Sequence, residues 1–316
     1  MNLQDPKRMA LIKVWDAAIR GMRKYVQEQG FVQVHNAPEL VGVSGACENV
    51  DTLFKVDFFG KKAYLAQSDQ LYLEMITPFI PKVWAEIQSF RAEPDADNRH
   101  LAQFSLFELE FQGNLVDLIK HISGCVRAAY DEVHIHCDLS LFDVQLSQTS
   151  VEFFQLTYDN AVKYLKENGF PELEWGDDLK AHHELKLASY FGPMFITHYP
   201  LEIKFFNMRQ NQDDPRVVNS TDLILPFSGE SAGAAERETE YDKIVQRLKT
   251  SSMYKRLIDL GGSDEDFEWY LDAHKHKSIA LHSGTGIGVA RVIQWILQLD
   301  DIRDAVPFLV NSENLL

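Results

Sequence analysis

The sequence predicts an α+β protein, and three observations carry that prediction. Two apolar runs, residues 83–90 and 104–111, flank a short loop rich in Pro, Asp and Asn and read as antiparallel strands. Amphipathic helical spacing recurs along the chain, first over residues 6–29, where Leu11, Ile12, Trp15, Ala18, Ile19, Met22, Tyr25 and Val26 share one face. Near the C-terminus, glycines at alternate positions (Gly284, Gly286, Gly288) precede an apolar helix over 292–299 with no βαβ unit after it. That spacing is not the dinucleotide fingerprint, whose third glycine lies further along.

Composition narrows the class. The chain has 316 residues, enough for one large domain or two smaller ones, with 45% hydrophobic and 25% charged residues, as in an ordinary globular protein. A net charge of -16 disfavours broad binding to DNA or to an anionic membrane, which needs a basic face, but leaves room for one specific RNA contact. Cys47, Cys125 and Cys137 cannot all pair and form no C-x-x-C, so free thiols in a reducing cytoplasm are expected. Residues 1–20 have mixed charge and no apolar core, so neither a signal peptide nor a membrane anchor is expected.

After the first helix, residues 31–35 alternate like a short strand closed by Pro38, and 41–52 is a small, polar loop. Residues 53–59 and 62–66 read as a hairpin turned at Gly60-Lys61. A helix opens at Gln70, with Ser68 or Asp69 as its cap. Further helices are expected over 115–132, 158–167 and 179–190, and strands over 194–199, 203–208 and 220–226. Arg237 opens a helix to about Lys249, and Arg291 is expected as the first helical residue after the glycines. His134, His136 and Cys137 lack a second ligand pair at usual spacing, so they read as polar positions at a helix end, as do His182-His183 and His274/His276.

The segment from Phe90 to Phe104 gathers Arg91, Glu93, Arg99 and His100 around the loop between the two apolar runs. Fixed guanidinium groups facing a sheet suit a polyphosphate, because their fork matches phosphate oxygens bidentately. A charged hairpin on a solvated surface has the same spacing, and residues alone leave both readings open.

Six ordered blocks choose between them. Gly30-Phe31-Val32-Gln33-Val34-His35-Asn36-Ala37-Pro38, Phe90-Arg91-Ala92-Glu93 with Arg99-His100-Leu101-Ala102-Gln103-Phe104, and Gly284-Thr285-Gly286-Ile287-Gly288-Val289-Ala290-Arg291 resemble the three motifs of a class II aminoacyl-tRNA synthetase catalytic core. Residues 67–74 (QSDQLYLE), 199–204 (YPLEIK) and 229–238 (GESAGAAERE) resemble its asparaginyl/aspartyl branch. The resemblance runs from about residue 8 to the C-terminus and implies a six- or seven-stranded antiparallel sheet flanked by helices, with a homodimer built through the first motif. It implies ATP bent over the sheet, Arg91 on the α-phosphate, and Arg99, His100 and Arg291 on the outer phosphates. It places Phe104 against the adenine opposite Arg291, Glu93 at the base and Gly288 along the nucleotide. Asp222 and Glu230 would carry Mg2+, which takes few carboxylates plus phosphate oxygens. Arg237 would reach the substrate side chain, with Glu48, Ser68, Gln70 and Glu184 completing the amino-acid pocket.

The expected chemistry is ATP-dependent ligation through an adenylate. A carboxylate attacking the α-phosphate needs positive charge and positioning more than a protein acid or base. The chain starts within a few residues of the first core helix, so residues 1–316 are expected to be one catalytic domain with no anticodon-binding barrel. Gln103 and Ala290 stand where acidic residues are usual, and the 44–52 loop departs from the family. The leading expectation is therefore asparagine synthetase-like: activation of aspartate or a close analogue and transfer to ammonia or a small amine. Asparaginyl-tRNA synthetase-like transfer to tRNA or another carrier is the alternative, with tRNA disfavoured as a partner. A non-catalytic amino-acid or ATP sensor comes third, because the arginines and acidic residues are retained.

Overall fold

The computed structural model describes residues 4–42, 50–144, 151–276 and 279–315. Glu48 and Cys47 lie outside them. An eight-stranded mixed sheet organises the chain, in the order β1-β5-β6-β11-β10-β9-β8-β7. Its strands are β1 (Val32–Gln33), β5 (Lys82–Phe90), β6 (Gln103–Gln112), β7 (Phe154–Thr157), β8 (Met194–Thr197), β9 (Ser220–Leu225), β10 (Gly229–Glu236) and β11 (His282–Gly288). The six central strands pair antiparallel, while β1 and β7 add parallel edges. The expected antiparallel core is present, and two short edge strands enlarge it.

The two faces of β6 explain the layers. Phe107, Leu109 and Phe111 point into the main core, beneath α1 (Pro6–Glu28) and α3 (Leu115–His136). Asp5 caps α1, and Asn114 opens α3 in a reciprocal capping box with Asp117. Glu108 and Glu110, at the alternate positions, face the other side, where α2 (Gln70–Glu74) crosses. A smaller sheet of β2 (Leu40–Val41), β3 (Lys55–Phe58) and β4 (Lys61–Leu65) packs in a second core with α6 (Tyr241–Thr250), α7 (Ser252–Asp259) and α8 (Glu268–His276). A third cluster joins α4 (Tyr158–Glu167) and α5 (Ala181–Phe191) to β8 and β9.

Four expectations are corrected here. Residues 203–208 form no strand, because Phe205 and Phe206 insert into the second core and Arg247 holds the carbonyls of Phe205 and Met208. Arg237 does not open a helix. It follows directly on β10 and is fully buried, and α6 begins only at Tyr241. The last helix, α9 (Val289–Ile296), starts earlier than read from the apolar run, so Arg291 is its third residue. The hairpin turns at Phe59-Gly60, both with positive φ, one residue before the expected turn.

His134 stacks on Tyr130 and bonds its carbonyl, His136 faces Glu132, and Cys137 donates to the carbonyl of Lys13. No described helix is long and apolar enough to cross a membrane.

Candidate active site

The sheet face opposite α1 and α3 carries two charged regions. In the first, β5 and β6 continue into the 91–102 loop, held by the Arg91 N–H to Ala102 carbonyl bond of 2.9 Å. Asp97 shapes the loop: its Oδ1 accepts the backbone N–H groups of Arg99 and His100 at 2.8 and 2.9 Å, and its carboxylate also meets the His100 ring. Arg99 reaches inward to Glu184 at 3.2 Å, and the same Glu184 oxygen accepts the backbone N–H of Glu230 at 3.0 Å. Burial, then the neighbouring Glu230, pushes the Glu184 carboxyl up. Arg291 donates to the Glu230 carbonyl, and burial depresses its guanidinium pKa. Arg91, Arg99 and Arg291 thus converge beside Glu184 and Glu230.

Two placements differ in detail from the resemblance. Phe104 lies under Arg91, with the guanidinium 5.3 Å from the ring centre, while Arg291 is engaged with β10. Glu184, which the resemblance sets in the amino-acid pocket, pairs with Arg99, which it sets on the outer phosphates. Glu93 is half-buried in the same loop, and Gly288 packs against the Ser231 carbonyl, where a Cβ would come within 3.4 Å.

The acidic pair fits a small divalent cation. A Cβ on Gly233 would lie 3.3 Å from Glu230 Oε1 and 3.7 Å from Asp222 Oδ1, so both carboxylates converge over backbone that has no side chain. Oxygen donors from two carboxylates, with room left for phosphate oxygens, match the hard-ligand preference of Mg2+. Lys204 answers the other Asp222 oxygen at 2.7 Å. Neither Gly233 nor Lys204 was given a role from sequence: strand register sets Gly233 opposite Asp222, and Lys204 reaches Asp222 from outside the strands.

The second region is the buried floor. Arg237 Nε and a terminal nitrogen contact the two Glu110 oxygens at 2.9 and 3.2 Å. The Gln70 amide oxygen also faces this guanidinium once the amide is oriented to oppose donors. Behind it, Glu74 accepts from the Tyr270 hydroxyl at 3.0 Å and the Asn207 amide at 3.2 Å, and meets His282 Nε2 at 3.1 Å. Burial opposes both charges of the Glu74–His282 pair, but their contact lowers Glu74 and raises His282. Ser68 donates its hydroxyl to Glu108 at 2.5 Å, and the Asp69 N–H reaches the other Glu108 oxygen at 3.0 Å. Glu108 and Glu110 continue the charged stretch that begins at Phe90, but the sequence reading gave them no role in the site. Their two-residue spacing on a strand after the loop was the available signal.

Comparison with known proteins agrees with this geometry. The family described as tRNA synthetases class II (D, K and N) matches residues 1–312. The asparagine–tRNA ligase of Pyrococcus abyssi is 37% identical over 98% of this chain and 70% of that protein. The one from Pelotomaculum thermopropionicum is 33% identical over 97% and 70%. Among solved structures, asparaginyl-tRNA synthetase from Pyrococcus horikoshii complexed with asparaginyl-adenylate superposes with a TM-score of 0.86 at 36% identity, covering 98% of this chain and 70% of that one.

Fold and site define an ATP-dependent, adenylate-forming ligase that uses Mg2+. The chain belongs to the class II aminoacyl-tRNA synthetases, in the asparaginyl/aspartyl branch.

Proposed function

We propose that the chain activates asparagine with ATP and transfers it to the 3′ end of a tRNA. The observation that carries this reading is the Arg237–Glu110 pair. Its guanidinium N–H groups donate and its carboxylate accepts, which complements the C=O and NH2 of a side-chain amide. An aspartate side chain would instead meet a guanidinium already neutralised, beside a second carboxylate, and like charges juxtaposed in a buried site are costly. Asparagine–tRNA ligases among the relatives point the same way. Ammonia-dependent amidation of aspartate, the leading expectation from sequence, is less well supported on both counts.

In the first step the asparagine α-carboxylate attacks the α-phosphorus, a new O–P bond forms, and pyrophosphate leaves. Arg91, Arg99 and Arg291 neutralise the gathering phosphate charge, and Asp222 and Glu230 would hold Mg2+, which supplies further positive charge to the phosphates. Glu108, held by two donors and lacking a cation of its own among the described residues, would receive the substrate ammonium. In the second step a tRNA ribose hydroxyl attacks the activated carbonyl and AMP departs. A cytoplasmic setting, where ATP and tRNA are both at hand, goes with this reading.

The first-motif strand β1 sits at the sheet edge with Val32 half exposed, which favours a homodimer there. Light scattering on the purified chain tests that assembly. ATP–pyrophosphate exchange with asparagine and aspartate, then charging of total tRNA, tests the activity. Asparagine-dependent exchange followed by a charged tRNA is the expected result. Exchange with aspartate and ammonia-dependent release of asparagine would return the amidation reading.

A further inference from the structure

One buried carboxyl group has no part in the chemistry above. Asp69 is fully buried at the start of α2, and neither of its side-chain oxygens has a hydrogen-bond partner. It occupies the N-cap position of α2 but makes no capping bond with its side chain, while the Ser68 hydroxyl accepts the Gln70 N–H at 3.2 Å. Its backbone N–H is the donor that steadies Glu108. The charged groups facing it are both anionic, Glu108 on β6 and Glu39 ahead of β2, with the Tyr72 phenol one turn along its own helix.

A charge census of the floor shows what this means. Arg237 answers Glu110, and His282 answers Glu74. Glu108 and Asp69 are left without an ion-pair partner among the described residues, although Arg237 lies near enough to favour the charge on Glu108. An amino-acid substrate brings one ammonium. Two ionised carboxylates around one ammonium would leave an unmatched charge in a buried pocket, which is costly.

We propose that Asp69 is a positioning residue of the amino-acid site, keeping its proton while Glu108 ionises, so that the pocket offers one net negative charge to one substrate ammonium. This inference rests on the proposed activation of an amino acid. The environment favours the division. Burial, then the Glu108 and Glu39 charges, pushes Asp69 up to about 8. Burial raises Glu108 less, to about 7, because Ser68, the Asp69 N–H and Arg237 pull it back. Folding therefore favours the protonated form of Asp69, and that contribution is lost as pH rises through about 8.

Infrared difference spectroscopy of the free protein reads the retained proton without any substrate. The expected result is a protonated-carboxyl band that disappears as pH is raised through about 8 and is missing from Asp69→Asn. Exchange assays supply the second arm. Asp69→Leu is expected to raise the KM for asparagine tenfold or more, and Asp69→Asn to recover most of that loss, because a neutral amide stands in for a protonated acid. Absence of the band above neutral pH overturns the proposal, as does an Asn variant impaired as deeply as the Leu variant. If the wild-type protein shows no exchange with any amino acid, the functional reading has failed, and the infrared comparison of wild type with Asp69→Asn still decides the protonation of Asp69.

Discussion

Arg237 and Glu110, 127 positions apart in the chain, form a two-point ion pair in which each side chain is 1% exposed. Removing one member of such a pair leaves an uncompensated buried charge, at a cost of about 3–5 kcal/mol. Arg237→Ala should therefore lower stability by about that amount and abolish exchange. Glu110→Gln retains the shape but leaves Arg237 with unbalanced charge. Its expected signature is a shift in selectivity toward aspartate, measured as the ratio of exchange rates for the two amino acids. An unchanged ratio would show that the pair does not read the side chain.

Arg91, proposed to neutralise phosphate charge, is exposed and packs over Phe104. Arg91→Ala should reduce exchange by roughly 100- to 1,000-fold, the usual scale for losing one transition-state electrostatic contact. The melting temperature should hardly move, since the residue is exposed. Retained exchange would remove Arg91 from the phosphate site.

Gly233 and Gly284 separate two effects of a methyl group. Gly233→Ala places a Cβ within 3.3 and 3.7 Å of the two acidic oxygens, so the expected change is a higher Mg2+ requirement for exchange in a folded protein. Gly284→Ala would put its Cβ 1.6 Å from Glu110 Oε2, a clash that must displace Glu110 from Arg237. Its expected outcome is loss of stability measured by denaturant titration, by about 3 kcal/mol or more.

The Glu74–His282 contact makes stability depend on pH in both directions. Glu74 is lowered, so its contribution is present above the ordinary glutamate range and lost as pH falls through the lowered value. His282 is raised, so its contribution is complete below the ordinary histidine range and lost as pH rises through the raised value. Thermal unfolding followed from acid to alkaline pH should therefore show a maximum between the two. His282→Gln should flatten the alkaline limb, and an unchanged limb would assign it to other groups.

Much of the fold was legible because local signals agreed with the tertiary outcome. The helix over Tyr158–Glu167 is legible at its observed bounds because Asn168-Gly169 ends the apolar spacing, and the structure adds the Thr157 cap at its start. Strands β5 and β6 lie within a residue or two of the apolar runs that foretold them. Residues 203–208 misled because Phe205 and Phe206 look like strand residues but serve the second core. Arg237 misled because the charged residues after it resemble a helix start, although its own backbone N–H bonds across to the His282 carbonyl. The short parallel strand β7 had too little pattern to be seen, and its hydrogen bonds come from β8, some 40 residues on.

The sequence by itself determined the family and brought the candidate phosphate-site residues into view. The residues concerned, Phe90–Phe104 and Gly284–Arg291, form compact runs whose order and spacing survive in one dimension. Only the tertiary structure decided which charges answer one another. Glu110 meets Arg237, Glu74 meets His282, Glu184 meets Arg99, and Asp69 is left among anions. Those pairings depend on strand register and burial across separations of 85 to 208 residues. The energy of a buried charge depends on its neighbours in space, and sequence distance does not encode them.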